Sequence, residues 1–342
     1  MRPFILVFVI ALSVTAFSTP WIRRIAIAAG FVDAPNARKV HTTPVPLLGG
    51  IGIFAGAVVA VLLIYEGRVP RSIAGALIAG TMVALIGVLD DRRGLSPALR
   101  LLVQVAAAAV LIGFGVRVRL PVPAILNYAL TLLWILGITN AINLLDNMDG
   151  LSAGVSAVAA AFLALLGAIN GQYLVSALAA AILGSCIGFL RYNFKPARIF
   201  MGDAGAYFLG FWLAVLGIQL RFPQNVNFVT WMVPVLVLGL PIFDTALVTI
   251  SRLRRGVHPF TGGQDHLSHR LVQRGDDEIQ PPELVGVYVQ LAGAVKDVRL
   301  AAEVEPDPGL LPGHGRHAEK KGRRGAGDGR AVLGHHDPLQ AG

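Results

Sequence analysis

The feature that most constrains this chain is a series of long apolar runs that follow one another almost without interruption. Each run is about 17 to 25 residues long, the length that a helix needs to cross a bilayer. They lie near residues 4–22, 47–65, 72–89, 99–116, 121–141, 151–169, 173–190, 205–220 and 228–250. Because the runs do not alternate apolar and polar residues, helices rather than barrel strands must satisfy their backbone in lipid. The sequence therefore predicts an all-α, polytopic transmembrane bundle of about nine helices.

Composition and charge support a membrane location. The 342 residues are 55% hydrophobic and only 14% charged, which is more apolar surface than one water-soluble core can bury. The net charge of +9 comes from Lys and Arg in short clusters between the apolar runs, not from one basic domain, so it does not indicate nucleic-acid binding. With the N-terminus outside, the cytoplasmic connections carry roughly 13 of these basic residues against 5 on the other side, as the positive-inside rule requires.

In this orientation the acidic residues gather on the cytoplasmic side. Before residue 251, Glu66 is the only acid on the opposite side of the predicted membrane. Acids that merely solvated the ends of loops would occur on both sides. The cytoplasmic set consists of Asp33, Asp90, Asp91, Asp146, Asp149, Asp203, Asp244 and Asp265. This asymmetry predicts a polar site at one end of the bundle.

The third apolar run ends in two adjacent carboxylates, Asp90 and Asp91. Neighbouring carboxylates beside a membrane repel each other and need a shared proton or a cation. Mg²⁺ suits this pair, because it takes oxygen ligands and usually completes its shell with water and substrate phosphates. Adjacent aspartates are also common in ordinary loops, so the pair by itself leaves both interpretations open.

The fifth run ends in four oxygen-bearing side chains at intervals of three residues. They are Asn140, Asn143, Asp146 and Asp149, and a helical end would align them on one face. Such a set at the end of a membrane helix is costly without a polar ligand. The alternative is a loop in which Asn and Asp cap the neighbouring helices. We favour the polar ligand.

The connection before the eighth run combines basic residues, glycine and an acid. Lys195, Arg198 and Gly202 suit a diphosphate, and Phe200 can stack on a base. Asp203 can hold a metal ion or cap the eighth helix. One residue can do both, so this choice also stays open.

The loop that follows the last run, about residues 251–283, places arginines before histidines and an acid. Arginine and histidine side chains in this order predict a phosphate clamp that can also handle protons. A zinc site is the alternative, but no cysteine or fourth ligand stands near Asp265, His266 and His269.

The link between the first two runs is rich in proline and glycine, which predicts a rigid loop. Arg38, Lys39 and His41 in this loop can meet a lipid phosphate or the donor substrate. A purely topogenic role for the basic pair is equally compatible with the sequence.

Taken together, these stretches resemble the polyprenyl-phosphate N-acetylhexosamine-1-phosphate transferase superfamily, in the same order and over about residues 30–275. The resemblance implies a multi-pass protein of the cell (inner) membrane with a cytoplasmic active site. It implies Mg²⁺, with Mn²⁺ as an alternative, and transfer of a sugar phosphate from a UDP-N-acetylhexosamine to undecaprenyl phosphate with release of UMP. It also implies contact with membrane lipid, no nucleic-acid partner, a chain able to form a homodimer, and the first membrane step of cell-envelope polysaccharide synthesis.

The resemblance also assigns roles to residues. Asp90, Asp91, His266 and His269 would be catalytic, with Asp90 deprotonating or positioning the lipid phosphate, and Asp146 and Asp203 would hold Mg²⁺. Asn143 and Asp149 would shape the nucleotide site, Asn193 and Phe200 would lie near the uracil, and Asp265 and both histidines would contact the diphosphate. The predicted substrate-binding residues are Asn143, Asp149, Asn193, Phe200, Arg38, Lys39, His41, Asp265 and Arg270.

The chain departs from the family pattern in two places. Residues 265–270 lack the triple-histidine run of the phospho-N-acetylmuramoyl-pentapeptide translocases, which argues against that branch. The family also usually continues with one or two more helices after the cytoplasmic loop, whereas here only about residues 284–295 are moderately apolar. The membrane transferase domain is predicted to occupy residues 1–296, and the composition of residues 297–342 predicts a disordered or frame-shifted tail. The alternatives to an active transferase are an inactive truncated homologue and a membrane transporter. Transport favours polar residues near the helix centres, which here are mostly Ala, Leu, Val and Gly.

Overall fold

The computed structural model describes residues 2–33, 44–65, 69–222, 227–258, 263 and 265–269. The predicted site residues Arg38, Lys39, His41 and Arg270 lie outside the described residues, as does the predicted tail 297–342. The elements in chain order are α1 (Arg2–Ala28), β1 (Val32–Asp33), β2 (Val45–Pro46), α2 (Gly49–Tyr65), α3 (Arg71–Arg93), α4 (Pro97–Gly113), α5 (Ala124–Leu145), α6 (Leu151–Ile169), α7 (Tyr173–Asn193), α8 (Gly202–Gln219), α9 (Asn227–Val237) and α10 (Gly239–Arg254).

The predicted all-α class is confirmed. Each predicted apolar run overlaps a helix, and the only sheet among the described residues is the antiparallel pairing of β1 with β2. The last run, near residues 228–250, forms two helices, α9 and α10, with a bend of 72° between them. Pro241 explains the break, because a proline ring clashes with the carbonyl four residues earlier, and α9 ends at that residue, Val237.

Several helices are long and apolar enough to cross a membrane. Within the described ranges, α1, α3, α5, α6 and α7 meet both criteria, and the bent pair α9–α10 counts as one more if it forms a single broken span. The apolar helices α2 and α4 are shorter, with 17 residues each. The chain is therefore a multi-pass membrane protein, and the number of nine spans stays a prediction.

Helix α8 lies at the centre of the bundle. Every residue from Ala204 to Ile218 is buried, and α8 packs against α3, α5 and α2. Glycines permit this close approach at the start of α8. A Cβ atom on Gly50 would lie 2.1 Å from the backbone nitrogen of Gly205, and one on Gly87 would lie 2.4 Å from the Cα of Ala204. These contacts bring the C-terminal end of α3 against the first turn of α8.

A tight turn reverses the chain between α3 and α4. Gly94 ends α3 in the left-handed conformation, with φ 60°, and its N–H bonds to the carbonyl of Asp90. Ser96 then caps α4 by accepting a hydrogen bond from Leu99, with proline at the first helical position. The reversal returns Arg100 to the side of Asp90.

Candidate active site

Five aspartates lie together at one end of the bundle, and we call this group the acidic cluster. They come from the end of α3, the connection between α5 and α6, and the first turn of α8. The members are Asp90, Asp91, Asp146, Asp149 and Asp203. Close carboxylates repel one another. The role of each aspartate therefore depends on which neighbouring groups compensate its charge.

Asp90 is buried and held by three donors. Its Oδ1 accepts a hydrogen bond of 2.8 Å from the backbone N–H of Leu95. Its Oδ2 lies 3.1 Å from the Tyr207 hydroxyl and 2.8 Å from Nε of Arg100. These three contacts, one of them with a guanidinium group, fix the position of the carboxylate. The arrangement favours positioning over proton abstraction, and the catalytic role of Asp90 stays a prediction.

Asp91 caps α8 from another helix. Its Oδ1 accepts the backbone N–H of Asp203 at 2.8 Å, and its Oδ2 accepts that of Ala204 at 3.3 Å. A negative charge at this place also compensates the positive end of the helix dipole. Gly202 is required beside it, because its φ is +71° and a Cβ atom there would lie 2.6 Å from Asp91 Oδ2.

Because Asp91 supplies the cap, the carboxylate of Asp203 is not used for capping its own helix. Asp203 lies in the first turn of α8, and its Oδ1 accepts a hydrogen bond of 2.6 Å from Nδ2 of Asn143 on α5. The contact links α5 to α8 across the acidic cluster. The sequence left two roles open for Asp203. The structure gives the capping role to Asp91, and metal binding by Asp203 stays a prediction.

Asp146 has a different environment from the other members. It follows the last residue of α5, and its carboxylate accepts no hydrogen bond within the part of the chain that the structure describes. Partial burial and repulsion from Asp203, Asp91 and Asp149 raise the pKa of Asp146 to about 8. A carboxylate without donors and with negative neighbours is a suitable ligand for a cation.

The donor set fits Mg²⁺. The described residues contain no group of three or more His, Cys, Asp and Glu side chains arranged to hold a metal ion. Mg²⁺ does not need such a cage, because proteins usually bind it through one or two carboxylates and leave the remaining positions to water and substrate phosphates. Asp146 and Asp203, with the amide of Asn143 beside them, match this pattern.

Two side chains join the connection before α6 to the connection before α8. Asp149 Oδ2 accepts the backbone N–H of Ala197 at 2.9 Å. Asn193 is buried, accepts the N–H of Gly150 at 3.0 Å and donates to the carbonyl of Ile199 at 3.0 Å. Both hydrogen-bonding groups of Asn193 are therefore used within the protein, and its place near a uracil stays a prediction.

We expect Asn193→Ala to lower the free energy of unfolding by about 1–3 kcal/mol, because two buried backbone groups would lose their partner. Thermal unfolding of the purified protein in detergent measures this change. Ile187→Ala on the same helix α7 is the control, since that side chain is 42% exposed on the outer surface of the bundle. Equal stability of the two variants would contradict the role given to Asn193.

Phe200 lies in the same connection, where its backbone pairs with the chain before α2. Its N–H donates to the carbonyl of Pro46 at 2.8 Å, and its carbonyl accepts the N–H of Gly49 at 2.9 Å. The ring is half-buried. Residues 193–201 are thus held on two sides next to the acidic cluster, and stacking of Phe200 on a base stays a prediction.

Asp265 lies between two arginines at the C-terminal end of α10. Arg252 contacts both of its oxygens, at 3.0 and 2.8 Å, and Arg255 contacts Oδ2 at 2.6 Å. Hydrogen bonding by Arg252, supported by Arg255, holds the pKa of Asp265 well below its usual range. This carboxylate holds two positively charged groups in place, while its own contact with a diphosphate stays a prediction.

The two predicted histidines lie side by side. Their ring centres are 6.3 Å apart, and Nδ1 of His266 lies 2.8 Å from Oδ2 of Asp244 on α10. Burial lowers the pKa of His269, and the neighbouring His266 lowers it further. Ser268 between them donates to Oδ1 of Asn147 at 2.8 Å, which attaches this segment to the residue that follows Asp146. The histidine segment is therefore joined to the loop of the acidic cluster.

The sequence assigned no individual role to Arg100, Tyr207 or Asp244, although Asp244 belongs to the acids on the predicted cytoplasmic side. Arg100 and Tyr207 hold Asp90, and Asp244 holds His266. A signal was available for Asp244, since it is an acid inside an apolar run, where an unpaired charge is costly. The partners of Asp90 follow only from the packing of α3, α4 and α8.

Comparison with known proteins adds the family context. Residues 73–221 match the model of glycosyl transferase family 4. The chain is 37% identical over 283 residues to a probable undecaprenyl-phosphate N-acetylglucosaminyl 1-phosphate transferase of Bacillus subtilis, covering 79% of this chain and 78% of the relative. It is 30% identical over 329 residues to the decaprenyl-phosphate N-acetylglucosaminephosphotransferase of Mycolicibacterium smegmatis, covering 84% and 80%. The undecaprenyl-phosphate alpha-N-acetylglucosaminyl 1-phosphate transferase of Escherichia coli K12 is 28% identical over 302 residues, covering 83% and 81%.

Proposed function

Because the chain belongs to glycosyl transferase family 4, we propose that it transfers N-acetylhexosamine 1-phosphate from a UDP-sugar to undecaprenyl phosphate and releases UMP. The names of the Bacillus and Escherichia relatives support N-acetylglucosamine as the sugar and undecaprenyl phosphate as the acceptor. The observation that carries the proposal is the acidic cluster at one end of a membrane bundle. In this cluster Asp146 is close to Asp203 and accepts no hydrogen bond from the described residues.

In the proposed reaction an oxygen of the lipid phosphate attacks the phosphorus that carries the sugar. A new P–O bond forms while the bond from this phosphorus to the bridging oxygen breaks, and that oxygen leaves with UMP. Phosphoryl transfer requires mainly positioning and charge neutralisation from the protein. A phosphate monoester is already largely ionised near neutral pH, so a base is not required to activate it. The anchoring of Asp90 by three donors agrees with a positioning role.

Asp146 and Asp203 would hold Mg²⁺, with Mn²⁺ as an alternative. The ion would neutralise negative charge on the diphosphate. Asn143 orients the Asp203 carboxylate, and Asp91 fixes the first turn of α8 from which Asp203 projects. Arg252 and Arg255, held by Asp265, would supply positive charge to the phosphates of the donor. The site would thus provide a metal ion and two arginines to compensate the negative charge of the substrate phosphates.

The proposed location is the cell (inner) membrane, with the acidic cluster at the cytoplasmic face. The excess of Lys and Arg in the connections on that side supports this orientation. A multi-pass bundle also gives a lipid-linked acceptor direct access from the bilayer. The product would be a lipid-linked sugar diphosphate, the first membrane intermediate of an envelope polysaccharide.

Reconstitution tests the function. The purified full-length chain is placed in liposomes with undecaprenyl phosphate and given a panel of labelled UDP-sugars, with and without Mg²⁺. We expect a labelled lipid diphosphate sugar and an equal amount of UMP, both abolished by EDTA and restored by added Mg²⁺. A transporter would move the UDP-sugar into the liposomes without releasing UMP. Absence of metal-dependent product with every UDP-sugar would refute the proposed reaction.

A further inference from the structure

We propose that Asp244 is a positioning residue that fixes the tautomer and the ring orientation of His266, so that Nε2 is the ring atom offered to the substrate. The proposal rests on the proposed function, because it takes His266 to act on the phosphates during the transfer. It concerns a residue outside the region that matches the family model, which ends at residue 221.

The geometry of the contact determines the tautomer. Oδ2 of Asp244 lies 2.8 Å from Nδ1 of His266. An ionised carboxylate only accepts hydrogen bonds, so Nδ1 must carry the proton. In the neutral ring the lone pair then lies on Nε2, and in the charged ring Nε2 carries the second proton. In both cases Nε2 is the ring atom that can gain or lose a proton during a reaction.

A second contact fixes the direction of the ring. Oδ1 of Asp244 accepts the backbone N–H of Leu267 at 2.7 Å. One carboxylate therefore holds the side chain of His266 and the backbone of the next residue at the same time. Rotation of the imidazole would break one bond while the other keeps the segment in place. This pairing resembles the general arrangement in which a buried carboxylate orients a functional histidine.

The burial of Asp244 supports a functional role for its contact with His266. Its side chain is 1% exposed and lies in α10, next to residues of the apolar core. A carboxylate at such a place is costly unless it is paired. A backbone contact alone could be made by a neutral side chain at lower cost. The contact with the imidazole of His266 explains why a carboxylate stands at this position.

The other nitrogen of His266 remains available. Nε2 makes no hydrogen bond with the residues that the structure describes, while His266 as a whole is 5% exposed. On the far side of the segment, Ser268 donates to Asn147, the neighbour of Asp146. His266 is thereby held between α10 and the loop that contributes to the acidic cluster. The histidine segment is thereby attached on one side to α10 and on the other to the residue that follows the proposed metal ligand Asp146.

Asp244→Asn tests the proposal, because it reverses the tautomer with little change in shape. The amide oxygen can still accept the N–H of Leu267, whereas the amide nitrogen donates to Nδ1 and moves the ring proton to Nε2. We expect kcat to fall about 10- to 100-fold, the usual effect of removing such a supporting partner. The KM for the UDP-sugar should stay within about twofold, since an interaction made in the transition state affects kcat and not ground-state binding. Asp244→Glu should recover part of the loss.

A readout independent of turnover is the ¹⁵N NMR spectrum of histidine-labelled protein, with the His266 signal assigned by its loss in His266→Gln. We expect the Nδ1–H tautomer in the unchanged protein and the Nε2–H tautomer in Asp244→Asn. The Nε2–H form in the unchanged protein would overturn the proposal. If the tautomers are as expected but the unchanged protein transfers no sugar phosphate, the proposed function fails and the assignment of Asp244 to His266 stands.

Two further variants separate positioning from a general effect on the fold. Thr245→Val changes the adjacent residue on α10, whose hydroxyl has no partner among the described residues, and should leave kcat and KM unchanged. In a His266→Gln background, Asp244→Asn should cause no further loss of kcat, because Asp244 would act only through the histidine. Additive losses in the double variant would show that Asp244 acts independently of His266 and would refute the proposal.

Discussion

Asp146→Asn is expected to lower turnover about 100- to 1,000-fold, because it removes one of the two carboxylates proposed to hold the metal ion beside the transferring phosphoryl group. The variant should still fold and insert into the membrane. The Asp146 carboxylate accepts no hydrogen bond from the described residues and is repelled by its neighbours, so an amide of the same shape costs the fold nothing. Turnover as a function of Mg²⁺ concentration, together with thermal unfolding, measures both effects.

Asp146→Glu is the matched control for charge. It keeps the carboxylate but lengthens the side chain, so we expect measurable turnover that requires more Mg²⁺ for half-activation than the unchanged protein does. Normal turnover in Asp146→Asn, with an unchanged Mg²⁺ dependence, would show that the metal assignment is wrong. The cation would then have to be held by other members of the acidic cluster.

Gly87→Ala is expected to reduce turnover about 100-fold, since a displacement of about 1 Å in a catalytic group has an effect of this size. The added Cβ atom would lie 2.4 Å from the Cα of Ala204 and 2.5 Å from its backbone nitrogen. These are backbone atoms of the first turn of α8, next to Asp203. A backbone in a fully buried helix cannot move aside as a side chain can, so α3 and α8 must separate and the cap by Asp91 must lengthen. We also expect a loss of about 1–3 kcal/mol of stability from the overpacking.

Gly137→Ala provides the comparison for Gly87→Ala. Gly137 lies inside α5, and a Cβ atom there would meet nothing within 4 Å. Alanine in the interior of a helix is preferred over glycine by roughly 0.5–1 kcal/mol, so this variant should be as stable as the unchanged protein or more so. Turnover and thermal unfolding are measured for both variants. Wild-type values for Gly87→Ala would refute the close contact between α3 and α8.

The positions of the helices could be predicted because each helix is indicated by a local pattern, a long apolar run. An apolar run of sufficient length forms a helix in lipid whatever its neighbours are, since its backbone groups must bond within the segment. The bend in the last run also has a local cause, Pro241. The same run contains Pro234, which lies inside α9, so the presence of a proline alone does not locate the bend. Length and composition do not say which helices pack together, and the burial of α8 at the centre of the bundle could not be foreseen.

The role of each aspartate was harder to predict. The adjacent residues Asp90 and Asp91 look equivalent in the sequence, yet Asp90 bonds to Arg100 and Tyr207 while Asp91 caps α8. Asp203 was considered as the cap of its own helix. The structure gives that role to Asp91, which is 112 residues away. Adjacent residues in a helix point roughly 100° apart. At the end of α3 the two carboxylates therefore meet different groups, although both contact α8.

The sequence by itself determined the all-α membrane class, the places where helices form, and the one-sided distribution of the acids, because each depends on composition and spacing along the chain. The tertiary structure alone decided which carboxylate is anchored by Arg100, which one caps α8 and which one pairs with His266. It also decided that Asp146 accepts no hydrogen bond from the residues that the structure describes. The physical reason is the short range of hydrogen bonds, about 3 Å between heavy atoms. Only the packing of distant helices brings such groups within that distance.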